Sequence, residues 1–415
     1  MPAAKLPPGR ARRRGVVLGW LLICVALVAG GCATAPKSRV SLEQIPAGQV
    51  ERARHNLRVF GAVWDLVNRR HFDPKFQGVD WEAAAARFGP EVARAADDKT
   101  LYATINDMLG LLHDSHTHAL TPEQADERRT RMRARTGFAL SRIEGRWLVT
   151  EVLPESPAEK AGVQPGWIAV AVNGVRIGER FEFRPQEGEE VRWEFVDGDD
   201  RPRVLGLTAR RLSIAPRQVE RELGDGFVYL RFDEFDGRDR RWLSRQLREY
   251  VEAPGVVIDL RHNPGGDTFS LGTSIGEFFE RAVDCGTFIS RSGARSVKNS
   301  WQWGSAHYRG RVVVLVEGTT ASAAEIFAAV LQDHGRAMLV GRNTAGAVLA
   351  SRFYGLPGGG ELQLSRDDYV TPKGRRIEGQ GVAPDVVVAR TFEDVRRGRD
   401  RDLEAALAVL LAADR

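Results

Sequence analysis

The sequence predicts an α/β protein whose core is a parallel sheet, with a helical segment in front of it and a β-rich segment inserted between the two. Three observations carry this expectation. The chain has 415 residues, 43% of them hydrophobic, with 43 Gly and 19 Pro. That length is roughly two to three usual domains, and the composition excludes disordered and fibrous classes. From Gly226 onward, short apolar runs of strand length alternate with longer runs of helical spacing, the pattern of a parallel sheet with crossover helices. Upstream of Gly226 the texture changes twice, from a period near 3.6 to short β-rich runs broken by turn residues.

The net charge is +5, from 60 Lys and Arg against 55 Asp and Glu. Lys5, Arg10, Arg12, Arg13 and Arg14 account for the whole excess, because residues 1–31 contain no acid. The remainder is balanced, so a nucleic-acid partner is not expected. The basic residues precede the uncharged run Gly15 to Gly31, which has the length of a secretory signal. Ala29-Gly30-Gly31-Cys32 resembles a bacterial lipoprotein cleavage box, with Ala29 where Leu is usual. The expectation is a signal at 1–31 and a lipidated Cys32 opening a tether over 32–48. An uncleaved membrane helix is the alternative, and both export the chain to the bacterial cell envelope. Ala33 is not the Asp that retains such lipoproteins at the inner membrane, which directs the expectation to a periplasm-facing anchor in the outer membrane. With Cys24 in the signal and Cys32 acylated, only Cys285 remains, so no intramolecular disulfide is expected.

From Val50 to Leu120 the spacing of Leu57, Phe60, Val63, Trp64 and Val67, then of Leu101, Ile105, Met108, Leu109 and Leu112, is helical. The charged stretch Thr121 to Arg135 reads as a connector, and the helical domain is placed at 49–135. Strands are expected at Trp147 to Val152, Ile168 to Val172 and Val191 to Val196. In the core, strands are expected at Gly226 to Phe232, Val256 to Leu260, Val312 to Val316 and Ala337 to Val340. Helices are expected at Arg240 to Val251, Thr268 to Arg281 and Ser322 to His334. Ligand sites in such sheets lie beyond the carboxyl ends of the strands. That places Arg261 to Asp267 and Glu317 to Ala321 at the site.

Within the β-rich segment, Gly137-Phe138-Ala139-Leu140, Ser156-Pro157-Ala158-Glu159-Lys160-Ala161-Gly162, Gly166-Trp167-Ile168 and Val172-Asn173-Gly174 follow in order. Together they resemble a PDZ domain, placed at 136–212, with Trp167 where that family has Asp. The resemblance implies that the loop at Gly137, Phe138, Ala139 and Leu140 offers N–H groups to a terminal carboxylate, beside a strand edge that pairs with the peptide.

Ser322 begins a helix after a strand and turn. Ser322 and Glu325 have the spacing of a capping box, and a hydroxyl at such a turn is also exposed above the sheet beside the positive helix end. Gly265 and Gly266, just past a buried strand, let the backbone approach a developing oxyanion. Val257-Ile258-Asp259-Leu260-Arg261-His262-Asn263-Pro264-Gly265-Gly266, Thr320-Ala321-Ser322-Ala323-Ala324-Glu325-Ile326, Gly341-Arg342-Asn343-Thr344, Thr371-Pro372 and Gly379-Gln380-Gly381-Val382-Ala383-Pro384-Asp385 resemble the tail-specific or C-terminal processing serine peptidases. This resemblance spans nearly everything after the tether. It implies a ClpP/crotonase-like parallel-sheet peptidase core, here at 213–392, followed by a C-terminal helix at 393–415.

One position departs from the Ser–Lys members of that family, whose general-base lysine lies 25 residues after the nucleophile. Here that position is Ala347, which takes no proton. The segment Leu112-His113-Asp114-Ser115-His116-Thr117-His118 supplies another base, because a Ser-His pair at the end of the helical region is similar to the tricorn core protease. In that arrangement a Glu before a Gly-Val-x-Pro-Asp segment orients the histidine, which points to Glu378, 56 residues after Ser322. The resemblance implies Ser322 as nucleophile, His116 as base, Glu378 as its orienting partner and Ser115 as an auxiliary hydroxyl. The N–H groups of Ala323 and of Gly265 or Gly266 are the expected oxyanion donors. Lys373 is the fallback base. The His-x-His spacing lacks a third ligand in context, so no metal is expected, and no cofactor. The function expected is a membrane-tethered serine endopeptidase acting through an acyl-enzyme on polypeptide substrates or C-terminal tails. The alternatives are an inactive PDZ scaffold, motivated by Ala347, and a carrier of small apolar ligands on the same fold.

Overall fold

A computed structural model describes residues 45–293, 295–302 and 306–412. The expected signal, Cys32 and most of the tether lie outside the described residues, so no structural statement is made of them. Among the described residues no helix is long and apolar enough to cross a membrane.

The central sheet takes five strands in parallel, Val228–Phe232, Gly255–Asp259, Arg311–Val316, Met338–Gly341 and Val386–Val387, with Gln218–Glu222 antiparallel on one edge. Val256, Ile258, Val312, Val314 and Val316 share a core with Leu243, Leu271, Ile326 and Phe327 from the helices Gly237–Glu249, Thr268–Gly276 and Ala323–Asp333. Val257, Val313, Leu315 and Val340 face the other way, onto Ala406 and Leu410 of the helix Arg401–Ala412. Alternate residues of each strand are thus buried on opposite faces, which is why these strands read as unbroken apolar runs. The expected helix Thr268 to Arg281 stops at Gly276, where the Trp301 carbonyl lies 1.9 Å from the place of a Cβ.

A second sheet, antiparallel, was not expected. His118–Leu120, Glu361–Val370, Asp284–Ser290 and Arg295–Asn299 run side by side, and Ala350–Gly355 pairs with Glu361–Val370. Its pairings join residues as distant as His118 and Gln363, a separation at which no local pattern announces a partner. The helices Val50–Arg70, Trp81–Arg94 and Asp98–Leu109 lie against this sheet, with Val63, Leu101 and Ile105 in one core with Leu356, Leu362 and Leu364. The helical segment therefore does not close its own core. The stretch Thr121 to Arg135 is more than a connector. It holds the helix Pro122–Thr130, capped by a Thr121–Gln124 box, and the strand Met132–Arg135 paired with Arg210–Ser213.

The β-rich segment is an antiparallel sheet of Phe138–Ile143, Arg146–Val152, Ile168–Val172, Glu190–Val196 and Pro202–Thr208, with Val175–Arg176 turned back on Ile168–Val172. It closes its own core around Val149, Val163, Trp193 and Phe195. Trp167 packs its ring on Phe195 at 5.7 Å between centroids. The C-terminal segment docks here through Val395, which joins Ile143 and Leu148, and through Arg396, paired with Asp200.

Leu364→Ala removes a fully buried side chain from the shared core of helices and second sheet. Urea unfolding of this variant is expected to show a loss of about 2–5 kcal/mol, and a loss below about 1 kcal/mol would show that the two parts are not one packed unit.

Candidate active site

The loops after Gly255–Asp259 and Arg311–Val316 are laced together beyond the carboxyl ends of the sheet. Thr320 Oγ1 donates to the Leu260 carbonyl at 2.9 Å, and Ala321 N–H donates to the Asn263 carbonyl at 3.1 Å. Fully buried Asn263 donates through Nδ2 to the Phe232 carbonyl at 3.0 Å and accepts Gly265 N–H on Oδ1 at 2.9 Å. Gly265 has φ 112°, and a Cβ there would meet Ser322 Cβ at 2.6 Å. Gly266 lies so close to the next strand end that its Cβ would fall 2.1 Å from the Phe235 carbonyl oxygen. Both positions therefore require glycine on space as well as on φ.

Ser322 is half-buried and sits at φ 56°, ψ −121°. That conformation is sparsely populated for a side-chain-bearing residue, of order 1–3 kcal/mol above a normal one. It is held by Ser322 N–H, which donates to the Ala347 carbonyl at 2.7 Å and to Glu325 Oε2 at 3.2 Å. Ser322 and Glu325 thus pair as the expected capping box. A capping serine uses extended backbone; Ser322 does not.

Glu325, fully buried, also accepts from Gly346 N–H at 2.7 Å, from Ala347 N–H at 2.8 Å and from the Thr344 hydroxyl. Burial pushes its carboxyl above the usual range, and these donors pull the other way. Of the expected oxyanion donors, Gly265 is corrected, since its N–H belongs to Asn263. Gly266 and Ala323, the latter the first residue of the helix after Ser322, keep N–H groups that the loop's own hydrogen bonds do not use.

On the helical side, Ser115 Oγ and His116 Nδ1 lie 2.7 Å apart. Glu378, 9% exposed, accepts Ser115 N–H on Oε1 at 3.1 Å and Val348 N–H on Oε2 at 2.8 Å. The expectation that Glu378 holds the ring of His116 directly is corrected: the ring's Nδ1 meets Ser115 Oγ, and the carboxylate holds the main chain of Ser115. Val348 follows Ala347, whose carbonyl receives Ser322 N–H. Three segments distant in sequence therefore meet across one loop, 344–348. Burial brings the His116 imidazole down to about 4, with Asp114 opposing and His118 assisting.

Ala347 stands in the loop at the position expected for a base and contributes only main-chain groups. Lys373 is exposed and its N–H donates to Asp333 at 3.1 Å. Asp333 ends the eleven-residue helix that Ser322 opens, about 16 Å away along the axis, so the fallback base is placed at the wrong end. At the β-rich sheet, Phe138–Ile143 is an edge strand. Gly137, with φ 102° and no room for a Cβ beside Ser156, receives on its carbonyl Leu153 N–H at 2.8 Å and the hydroxyl of fully buried Ser156 at 3.2 Å. Phe138 packs on Trp193 at 4.9 Å, and Ala139 and Leu140 lie at a register shift. Among the described residues no group of three or more His, Cys, Asp or Glu is placed to hold a metal ion. Cys285 is buried and unpaired.

Sequence reading missed His71 altogether, named Asp114 without a role, and saw Glu325 only as a cap. Their signal is the number of main-chain donors each carboxylate collects, which appears only once the chain is folded.

Residues 226–388 match peptidase family S41, and residues 53–110 match the tricorn protease C1 domain. The chain is 28% identical over 374 residues to the carboxyl-terminal-processing protease of Synechocystis sp., covering 84% of this chain and 85% of that one. It is 26% identical over 397 residues to a putative tricorn protease homolog of Streptomyces coelicolor, covering 88% of this chain and 33% of the other. Among solved structures, the photosystem II D1 C-terminal processing protease is similar with a TM-score of 0.57 at 24% identity, over 86% of this chain and 97% of that one. Mature CPAF is similar with a TM-score of 0.64 at 14% identity, over 87% and 98%. The protein is a serine-type peptidase, a hydrolase. Its segment 226–388 matches the S41 peptidase family, and the chain is similar over most of its length to the carboxyl-terminal-processing proteases.

Gly265→Ala forces a methyl group onto Ser322 Cβ and is expected to lower the rate of labelling by a fluorophosphonate by about 100-fold or more. Gly188→Ala, also at positive φ but with nothing within 4 Å of the new Cβ, is expected to label at the wild-type rate. Equal labelling of the two variants would show that the Gly265 contact does not position the serine.

Proposed function

We propose that the protein is an exported serine endopeptidase that hydrolyses peptide bonds through an acyl-enzyme on Ser322. The observation that carries this reading is the bridge through Glu378, from Ser115 N–H to Val348 N–H, one residue from the carbonyl that fixes Ser322. His116 Nε2 takes the proton of Ser322 Oγ as Oγ bonds to the scissile carbonyl carbon. The proton then passes to the departing amine, and water repeats the sequence on the ester. Ser115 Oγ holds Nδ1 and Glu378 holds Ser115, so the imidazole keeps one orientation while it gains charge. Gly266 and Ala323 N–H groups receive the oxyanion, aided by the positive end of the helix.

The β-rich domain is read as a PDZ domain. The edge strand that follows Gly137 suits an extended peptide added in register, its C-terminal carboxylate on the loop of Gly137, Phe138, Ala139 and Leu140. The leader and Cys32 would anchor the enzyme at the envelope membrane, and neither cofactor nor nucleic acid enters the reading. Beside the site, between the first turns of the helices Thr268–Gly276 and Ala323–Asp333, is an apolar cavity of about 100 Å³ lined by Leu271, Cys285, Phe288 and Ile326, with Phe269 and Trp301 at its rim. It suits an aliphatic side chain next to the scissile bond.

Labelling by a fluorophosphonate is expected in the wild type and lost in Ser322→Ala and His116→Ala; an unlabelled wild type sinks the enzyme reading in favour of a tail-holding scaffold. Because a base must be neutral to accept a proton, the acid limb of kcat/KM is expected near pH 4, not near the 6.5 of free imidazole. A pH profile on a peptide substrate measures it. Leu271→Phe fills the cavity and is expected to lower kcat/KM for a leucine at the cleaved position by about 10- to 200-fold against alanine. An unchanged ratio would place the side-chain pocket elsewhere.

A further inference from the structure

The turn that carries His116 rests on a buried carboxylate and a buried imidazole that the chemistry above does not use. Asp114 Oδ1 accepts from His116 N–H at 3.0 Å, from Thr117 N–H at 2.6 Å and from the Ser365 hydroxyl at 3.0 Å. Its Oδ2 accepts from Thr117 Oγ1 at 2.7 Å and lies 2.8 Å from His71 Nε2. The side chain of Asp114 is 1% exposed and that of His71 is not exposed at all.

His71 follows the helix Val50–Arg70, and its ring is wedged beside Phe72 and Phe76 at 4.6 and 6.1 Å. Its Nδ1 lies 3.2 Å from Asp73 N–H and 3.1 Å from the Asp73 carbonyl, so a partner is present whether that nitrogen is bare or protonated. The Arg291 guanidinium donates to the His71 carbonyl at 3.1 Å. A carboxylate taken out of water is costly unless its lone pairs are filled. Here they are filled by five donors, two of them main-chain N–H groups of the turn itself.

We propose that Asp114, held in place by His71, is a positioning residue for the general base: it fixes the main chain of His116 and Thr117 and presents a negative charge to the imidazolium that forms during acylation. This rests on the reading of His116 as the base. Neither residue exchanges a proton with the substrate; the transfers remain Ser322 Oγ to His116 Nε2 to the leaving amine. The charged and titratable groups facing His116 are Asp114, whose charge favours the protonated ring, His118, which disfavours it, and Glu378 through Ser115. Facing Asp114 are His71, Thr117 and Ser365. Its carboxyl is set by burial, which raises it, against hydrogen bonds from His71 and Thr117, which bring it below the usual range.

The test uses the full chain, with fluorophosphonate acylation rates and peptide kinetics from pH 3 to 8 and a melting curve for each variant. Asp114→Asn keeps the shape and the acceptor oxygen, and the His71 ring can present its other tautomer to receive the amide. It is expected to acylate about 10- to 100-fold more slowly with KM unchanged, and its acid limb is expected to move to lower pH, because removal of a negative charge disfavours the imidazolium. A variant that melts earlier but keeps the rate and the limb overturns the proposal. Should Asp114→Asn fail to fold, His71→Gln and His71→Leu decide. The amide keeps a donor toward Asp114 and is expected to stay within about threefold of the wild type, while the leucine variant falls tenfold or more below it; equal rates overturn the proposal. Labelling retained in His116→Ala identifies instead a failure of the base reading itself.

Discussion

The loop 344–348 hangs between two buried carboxylates, and the site depends on that suspension. Glu325 draws in the N–H groups of Gly346 and Ala347 from the side of the serine helix. Glu378 draws in Val348 N–H and, with its other oxygen, Ser115 N–H from the helical region. The carbonyl between these donors, that of Ala347, receives Ser322 N–H and holds the serine in its unfavourable backbone conformation. A side chain that accepts several main-chain donors fixes backbone more tightly than apolar packing does, because each bond is directional and each unmade bond in the interior is costly. Strain at Ser322 is tolerated because the surroundings over-determine it.

The same device recurs one step outward. Asn263 ties the end of Val228–Phe232 to the glycine loop with its amide. Arg261, next along, grips Asp259, Asp400 and Asp402 and so ties the C-terminal segment to the loop that leads to Gly265. The C-terminal segment in turn docks on the β-rich domain through Val395 and Arg396. The β-rich domain, the C-terminal segment and the glycine loop are thus mechanically continuous, and the central sheet serves as their rigid footing.

How much of this the sequence disclosed follows from the range of each interaction. Gly255–Asp259 and Arg311–Val316 announce themselves because a strand buried on both faces must be apolar at every position. Gly265, Gly266 and Gly137 announce themselves because a neighbour occupies the place of a Cβ. The antiparallel second sheet stayed hidden, since its strands come from stretches separated by as many as 245 residues, as His118 and Gln363 are, with no local pattern to name the partner. The helices Val50–Arg70 and Asp98–Leu109 were legible as helices, yet their packing on Leu362 and Leu364 was not.

Local chemistry therefore came from the chain itself: the serine at a strand-to-helix turn, the glycine pair, the missing amine at Ala347, and a Ser-His dipeptide at the end of a helical stretch. Those depend on residue type and short spacing, which a linear text preserves. The folded molecule alone decided which groups are partners. It gave Gly265 N–H to Asn263, put Ser115 between His116 and Glu378, turned Glu325 from a cap into a clamp, and buried His71 against Asp114. Hydrogen-bond partnership is a matter of ångströms and angles between groups up to 263 residues apart, and no periodicity encodes it.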